Sequence, residues 1–337
     1  MGGDFGPPVT VSALIAFLHH QQQVRALLFG DKAELADPLS LCRDQSILSR
    51  IDVRHSDCQV GASDKPSSVL RNKRNSSMAM AMQAVASDDA QAFISAGNTG
   101  AIMALGLFTL KALPGISRPA ICTAIPTLTG RSFVLDLGAN VDCTADQLCE
   151  FANLGRLMAN ELDGIESPKV RLLNVGEEAN KGRADIQLAA EMLAADPSIN
   201  YCGFVEGDGI FEGGTDVVVC DGFAGNVALK TSEGLVKMLG ARFRDAVGHS
   251  WLSRIAMLLL RKPLNQLRRQ LDPALYNGAY VLGLEGVVVK SHGSASRQAF
   301  VNALQVATEA AQHNLPKVLS PILKNQLNQN GKKKTDL

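Results

Sequence analysis

Net charge, aromatic rings and long apolar runs are all scarce in this chain. Its 33 Lys and Arg residues balance 33 Asp and Glu, and aromatics make up 5% of the 337 residues. Without a basic field or base-stacking platforms, the chain does not read as a nucleic-acid binder. No apolar stretch approaches bilayer-spanning length and no signal peptide opens the sequence, which sets the expectation of a cytoplasmic protein. The seven cysteines (Cys42, Cys58, Cys122, Cys143, Cys149, Cys202 and Cys220) are scattered, odd in number and lack a C-x-x-C pair. That spacing argues for reduced thiols and against a disulfide framework or a zinc site. Nucleotide motifs are missing as well. There is no G-x-x-x-x-G-K-[ST] loop, and Gly207-Asp-Gly-Ile-Phe-Glu-Gly213 mimics a dinucleotide fingerprint but leads into a strand where a helix is required.

What is present is an alternation. Strand-like runs fall at Val24–Phe29, Gln91–Ser95, Ile121–Ile125, Ser132–Asp136, Val170–Asn174, Tyr201–Val205, Val217–Cys220 and Gly286–Lys290. Helical patterns lie near 75–86, 99–111, 144–161, 182–195, 225–247 and 296–313. With 46% hydrophobic and 20% charged residues, this order predicts an α/β protein with a mostly parallel sheet and helices on both faces. In such sheets ligands bind beyond the carboxyl ends of the strands.

Polar, glycine-rich segments sit at those ends. In Asp216–Gly234 an apolar run stops at Asp221, turns through Gly222 and Gly225, and enters a helix carrying Asn226 and Lys230 on one face. A glycine turn feeding a helix offers free N–H groups and a positive dipole end to an anion, so the segment reads as a phosphate site, or as an ordinary strand-to-helix turn. Ser95-Ala-Gly-Asn-Thr-Gly100 opens another helix with hydroxyl, amide and backbone donors. Asp136–Asn140 closes a third strand, Asn174–Gly182 places Glu177 and Lys181 before a helix, and Lys290-Ser-His-Gly-Ser294 ends a late strand. Each is weak alone, since Gly and Asn are common in turns; five at strand ends are not.

In this order the motifs resemble the PlsX family of bacterial phosphate acyltransferases. The match runs through Met1–Pro7, Ala62–Asp64, Arg71–Met78, Ser95–Ala101, Asn174–Gly182, Glu206–Gly207, Asp216–Gly234 and His292–Ser294. The resemblance implies transfer of a long-chain acyl group from acyl carrier protein to inorganic phosphate, giving acyl phosphate for phospholipid synthesis. It implies a three-layer α/β/α fold similar to phosphotransacetylases and isopropylmalate dehydrogenases, and a homodimer. A single catalytic domain is expected over 1–326, with a helical projection at 242–275 and a polar, disordered tail at 327–337. Family members carry a short apolar strand and an Asp-Ala pair before the Met-Gly-Gly-Asp motif at which this chain begins, so a start codon further upstream is expected.

The chemistry this implies is positional and needs no metal or organic cofactor. Phosphate must be desolvated and held in line with a thioester carbonyl while other donors meet the developing oxyanion. The expected catalytic group is Lys181, Asp221, Asn226, Lys230 and His292, with Asp221 or His292 as base. Substrate donors are expected from Ser95, Gly97, Asn98, Thr99, Gly100, Glu177, Gly222 and Gly225. Cys220 reads as packing, with an acyl-enzyme as the alternative. Arg71, Lys73 and Arg74 form either a docking patch for the acidic carrier protein or a solvated face. Around 249–271, Trp251, Ile255, Leu258, Leu259 and Leu260 interleave with basic residues. That pattern suits reversible contact with an anionic membrane and delivery to a membrane glycerol-phosphate acyltransferase, or else a dimer core. A coenzyme A-dependent short-chain phosphotransacetylase and a non-catalytic membrane adaptor stand as alternatives.

Overall fold

Alternation along the strands sorts the helices into two layers. In the computed structural model, which describes residues 2–248, 260–263 and 276–335, the strands are β1 Ala26–Gly30, β2 Ile51–His55, β3 Ala92–Ser95, β4 Ala120–Thr127, β5 Gly130–Leu135, β6 Lys169–Leu173, β7 Asn200–Val205, β8 Val217–Val219, β9 Ala279–Leu282 and β10 Val287–Lys290. The helices are α1 Gly6–His20, α2 Lys32–Ser40, α3 Gln45–Leu48, α4 Pro66–Asn72, α5 Ser77–Ala86, α6 Thr99–Thr109, α7 Ala145–Asp163, α8 Ala184–Ala194, α9 Gly222–Gly248, α10 Arg297–His313 and α11 Leu315–Thr335. Val217 and Val219 pack with Phe133, Leu135, Val170 and Leu172 beneath α7, α8, α10 and α11. Val218 and Cys220 turn to the other face, against Ala224, Ala228 and Leu229 of α9. Phe93 and Val288 do the same beneath α5 and α6. A strand with period two, apolar on both faces, requires a helix layer on each side. The result is a three-layer α/β/α domain.

Eight strands form the main sheet in the order β3-β10-β9-β4-β5-β8-β6-β7, and β1 and β2 pair in parallel as a separate two-stranded sheet. Pairing in the main sheet is parallel between β3 and β10 and through β5-β8-β6-β7, as the alternation predicts. It is antiparallel across β10-β9, β9-β4 and β4-β5. This antiparallel centre has a consequence for the motifs. The ends of β3 and β10 point one way, and the ends of β5, β8 and β6 point the other, so the five polar segments form two sets and not one row.

Two strands, β2 and β9, are additional to those read from the pattern. β2 is a five-residue edge strand of alternating polarity, and β9 is a four-residue run hemmed by Gly278 and Gly283. The last helix also passes residue 327, where a polar tail is expected, and continues to Thr335. Its hold is local: Leu323 is buried, Gln326 accepts a 2.7 Å hydrogen bond from Asn153 on α7, and the Leu327 side chain lies against Gly115.

Candidate active site

The first set of motifs closes on itself. Asp136, fully buried at the end of β5, accepts from the backbone N–H groups of Ile121, Gly138, Ala139 and Asn140 and from the Asn140 side-chain amide, at 2.6–3.2 Å. Burial pushes its carboxyl up while these donors pull it back. Asn140 in turn takes the Gly222 N–H at 2.7 Å. A Cβ on Gly222 would stand 2.5 Å from that carbonyl, and one on Gly225 would overlap the Asp136 carbonyl oxygen. The two glycines therefore let α9 start in contact with the 136–140 loop; no phosphate fits between them and that backbone.

The anion at the start of α9 is Asp221 itself. Its Oδ1 accepts from Ala224 N–H at 2.8 Å and its Oδ2 from Arg183 Nη1 at 3.0 Å, while the Gly225 N–H bonds back to the Asp221 carbonyl. A helix N-terminus capped this way has spent the Gly222, Ala224 and Gly225 donors on its own chain, and of its first four N–H groups that of Phe223 meets no acceptor among the described residues. Arg183 is a partner the sequence reading did not single out, one residue beyond the Asn174–Gly182 segment. A buried acid at a strand end needs a counter-charge, and that requirement is the signal that points to it. Beside it, the Asn174 amide donates to the carbonyls of Gly176 and Lys181, Glu177 lies 3.7 Å from Arg171, and the Lys181 side chain is exposed. Asn226 is exposed over Gly138, with no hydrogen-bond partner for its amide among the described residues. Cys220 is buried, its Sγ 3.4 Å from the Asp136 carbonyl, and burial raises its thiol well above the ordinary range. A thiol so held is a packing group, not a nucleophile.

The second set is open. β3 and β10 end side by side, with Ser95 paired in register to Lys290. Gly2 and Gly3 lie across both turns: a Cβ on Gly3, which has φ +79°, would stand 2.9 Å from the Gly293 carbonyl and 3.0 Å from Ala96. Asp4 N–H donates to Gly293 O at 2.8 Å. Ser95 Oγ accepts from Gly97 N–H, and Asn98 caps α6 through Ala101 N–H while its amide holds the carbonyls of Gly61, Ala62 and Asp64. The N–H groups of Thr99 and Gly100 meet no acceptor among the described residues, so this helix start still offers donors.

Lys230 joins the two sets. It lies one turn beyond Asn226, about 6 Å along α9, and its Nζ is 3.0 Å from His292 Nε2 and 2.9 Å from Glu233 Oε2. The Lys230 ammonium has only protons to offer Nε2, and on the other side the Ser294 N–H donates to Nδ1 at 3.1 Å with Ser294 Oγ 2.8 Å away, so both ring nitrogens face hydrogen-bond donors. Burial, then the Lys230 charge, holds the His292 pKa below its usual value, in keeping with a neutral ring. The remaining sequence-derived residues lie elsewhere. Lys73 is bonded to Asp64 and to the Gln59 carbonyl, Arg74 stacks on Phe108 at 5.3 Å, and Arg71 is exposed. Leu260 is exposed, and Trp251, Ile255, Leu258 and Leu259 lie outside the described residues.

This three-layer architecture is the phosphotransacetylase fold. A phosphotransacetylase from Streptococcus pyogenes superposes with a TM-score of 0.61 at 15% identity, over 90% of each chain. A branched-chain phosphotransacylase from Enterococcus faecalis gives 0.58 at 16% identity, over 93% of this chain and 97% of that one. Residues 1–318 match the family model described as fatty acid synthesis protein, and the chain belongs to that family, the PlsX phosphate acyltransferases. Curated relatives include the phosphate acyltransferases of Methylococcus capsulatus, 47% identical over 94% of this chain and 93% of that one, and of Pseudomonas syringae pv. syringae, 48% identical over 95% and 93%. The protein is an acyltransferase.

Proposed function

We propose that the enzyme moves a long-chain acyl group from the thioester of acyl carrier protein to inorganic phosphate, at the corner where Lys230 meets His292 and the Ser95–Gly100 turn. The single observation that carries this reading is the 3.0 Å contact of Lys230 with His292, a cation and a neutral imidazole joined across two otherwise separate motifs. Phosphate displaces Glu233 from Lys230 and is held by that ammonium. Its oxygen attacks the thioester carbon; the new C–O bond forms as the C–S bond breaks, and the carrier thiolate leaves. Thr99 and Gly100 N–H face the developing oxyanion, and a proton still on phosphate passes to His292 Nε2. Asp221, Asn226, Lys181 and Glu177 form the opposite rim, and Gly222 and Gly225 seat the helix that carries Lys230.

The product then feeds phospholipid synthesis through a membrane glycerol-phosphate acyltransferase. Supporting this is a stripe on α9: Phe223, Val227, Leu235, Met238, Leu239 and Phe243 are all exposed at helical spacing. It leads toward 249–259, and the two suit a homodimer that touches an anionic membrane reversibly from the cytoplasm. Among the described residues, no helix is long and apolar enough to cross a bilayer. Arg71, with Arg74 beside it, is the proposed carrier-docking patch. The test is incubation with palmitoyl carrier protein and phosphate, with acyl phosphate expected. Turnover of acetyl-coenzyme A but not of palmitoyl carrier protein would favour the short-chain reaction of the fold relatives instead. For the membrane, Leu258→Glu with Leu259→Glu should abolish liposome binding and spare turnover of the soluble substrate; retained binding would sink that part.

A further inference from the structure

Lys290 is the last residue of β10, and the strand's alternation decides where its side chain goes. Val287 and Val289 face the core beneath α7 and α10, while Val288 faces the core beneath α5 and α6. Lys290 shares the Val288 face, where its register partner Ser95 shares the face of Phe93. The side chain is mostly enclosed, and its ammonium donates to the carbonyl of Ser291. Its charged neighbours are Lys230 from α9 and Asp4 from the amino-terminal turn, and it acts in turn on His292, whose ring also feels Glu233 and Lys237 of α9. Helix α6, which closes this face, contributes none. Of the two carboxylates, Glu233 is engaged with Lys230, and Asp4 is exposed. Two ammonium groups thus share one partly dehydrated corner with little counter-charge, an arrangement a bound dianion would relieve.

We propose that Lys290 is a substrate-binding residue that grips the phosphate together with Lys230, the dianion bridging the two ammonium groups above the Ser95–Gly97 turn. The proposal rests on the acyl-to-phosphate reading of the site and names the second cation it requires. It also carries a protonation signature. Burial, and then Lys230, lowers the Lys290 pKa to about 8, so the free enzyme carries this charge below that pH and loses it above. Phosphate favours the charged form. Binding above pH 8 therefore draws a proton from solvent, and affinity falls as pH rises through that value.

The test is calorimetric titration of inorganic phosphate into the full chain at pH 7 and pH 9, each in two buffers of different ionisation enthalpy. Wild type, Lys290→Met and Lys290→Arg are compared, with thermal melts as a check on folding. Wild type should bind more weakly at pH 9 and take up a proton there. Lys290→Met should lose at least about tenfold in phosphate affinity at pH 7, the scale of one charge-assisted bond, and lose the proton uptake. In turnover assays its KM for phosphate should rise while its KM for the acyl donor holds. Lys290→Arg, charged at both pH values, should bind at pH 7 and show no proton uptake at pH 9. Wild-type affinity and proton uptake in folded Lys290→Met would overturn the inference, as would retained proton uptake in Lys290→Arg should the methionine variant fail to fold. A wild type that binds no phosphate at either pH overturns the phosphate-transfer reading itself.

Discussion

The two ends of the first turns of α9 are built in opposite ways. At Asp136, Asn140 and Asp221 the donors and acceptors are matched within the chain, down to glycines whose missing side chains admit a neighbouring backbone. At Lys230, Lys290 and His292 groups of one charge tendency are crowded together, and two helix N–H groups stand open. Both ends carry the residue types of a phosphate site. The first keeps only its exposed Asn226 and Lys181 side chains and the Phe223 N–H unspent, while the second crowds two ammonium groups with little counter-charge. A polar group already satisfied by the fold gains little from a ligand. An acid, an amide and a glycine turn can complete a scaffold as readily as a site.

Substitutions can break or sharpen that contrast. The largest effect is expected at Lys230→Ala, which removes the cation held jointly by both motifs. Turnover should fall about 100-fold or more, the usual loss for one aligned electrostatic donor, with the melting temperature almost unchanged because the side chain is half exposed. Steady-state assays on folded protein check it. Next, Gly225→Ala forces a methyl into the Asp136 carbonyl. It should cost about 1–3 kcal/mol of stability, read from urea unfolding, and a neutral result would mean that this end is looser than described. Asp221→Asn keeps the cap on Ala224 but weakens the Arg183 pair. A drop in turnover of about tenfold is expected, and a deeper loss than at Lys230 would invert the comparison. Smallest is Cys220→Ala, which should keep most of its activity. A thioester found on Cys220 by mass spectrometry would replace direct displacement with a covalent route.

Much of this was legible in the sequence. Val217–Cys220 carries the core strand on its face, and the helices at 144–161 and 296–313 announce themselves by period; Thr144 and Gln147 supply a capping box and Gly164, in the left-handed region, a stop. Strand direction was not legible. Nothing local in Ile121–Ile125 or Ser132–Asp136 says that these two runs pair antiparallel, yet that pairing separates the polar segments into two sets. Nor could spacing reveal that Arg183 answers Asp221 across 38 residues, or that Lys290 lies beside Ser95. Those neighbours are made by the sheet order. The residues proposed for phosphate were mostly visible as motifs, while the decision between a filled and an open site rests on contacts between motifs.

The most direct test is to locate the anion. Crystals of the protein soaked with tungstate, a phosphate-shaped anion with strong anomalous scattering, should show one ordered site in contact with Lys230 and Lys290 and over the Ser95–Gly100 turn. Tungstate seated instead at the Gly222–Gly225 turn, with Arg183 released from Asp221, would contradict the account.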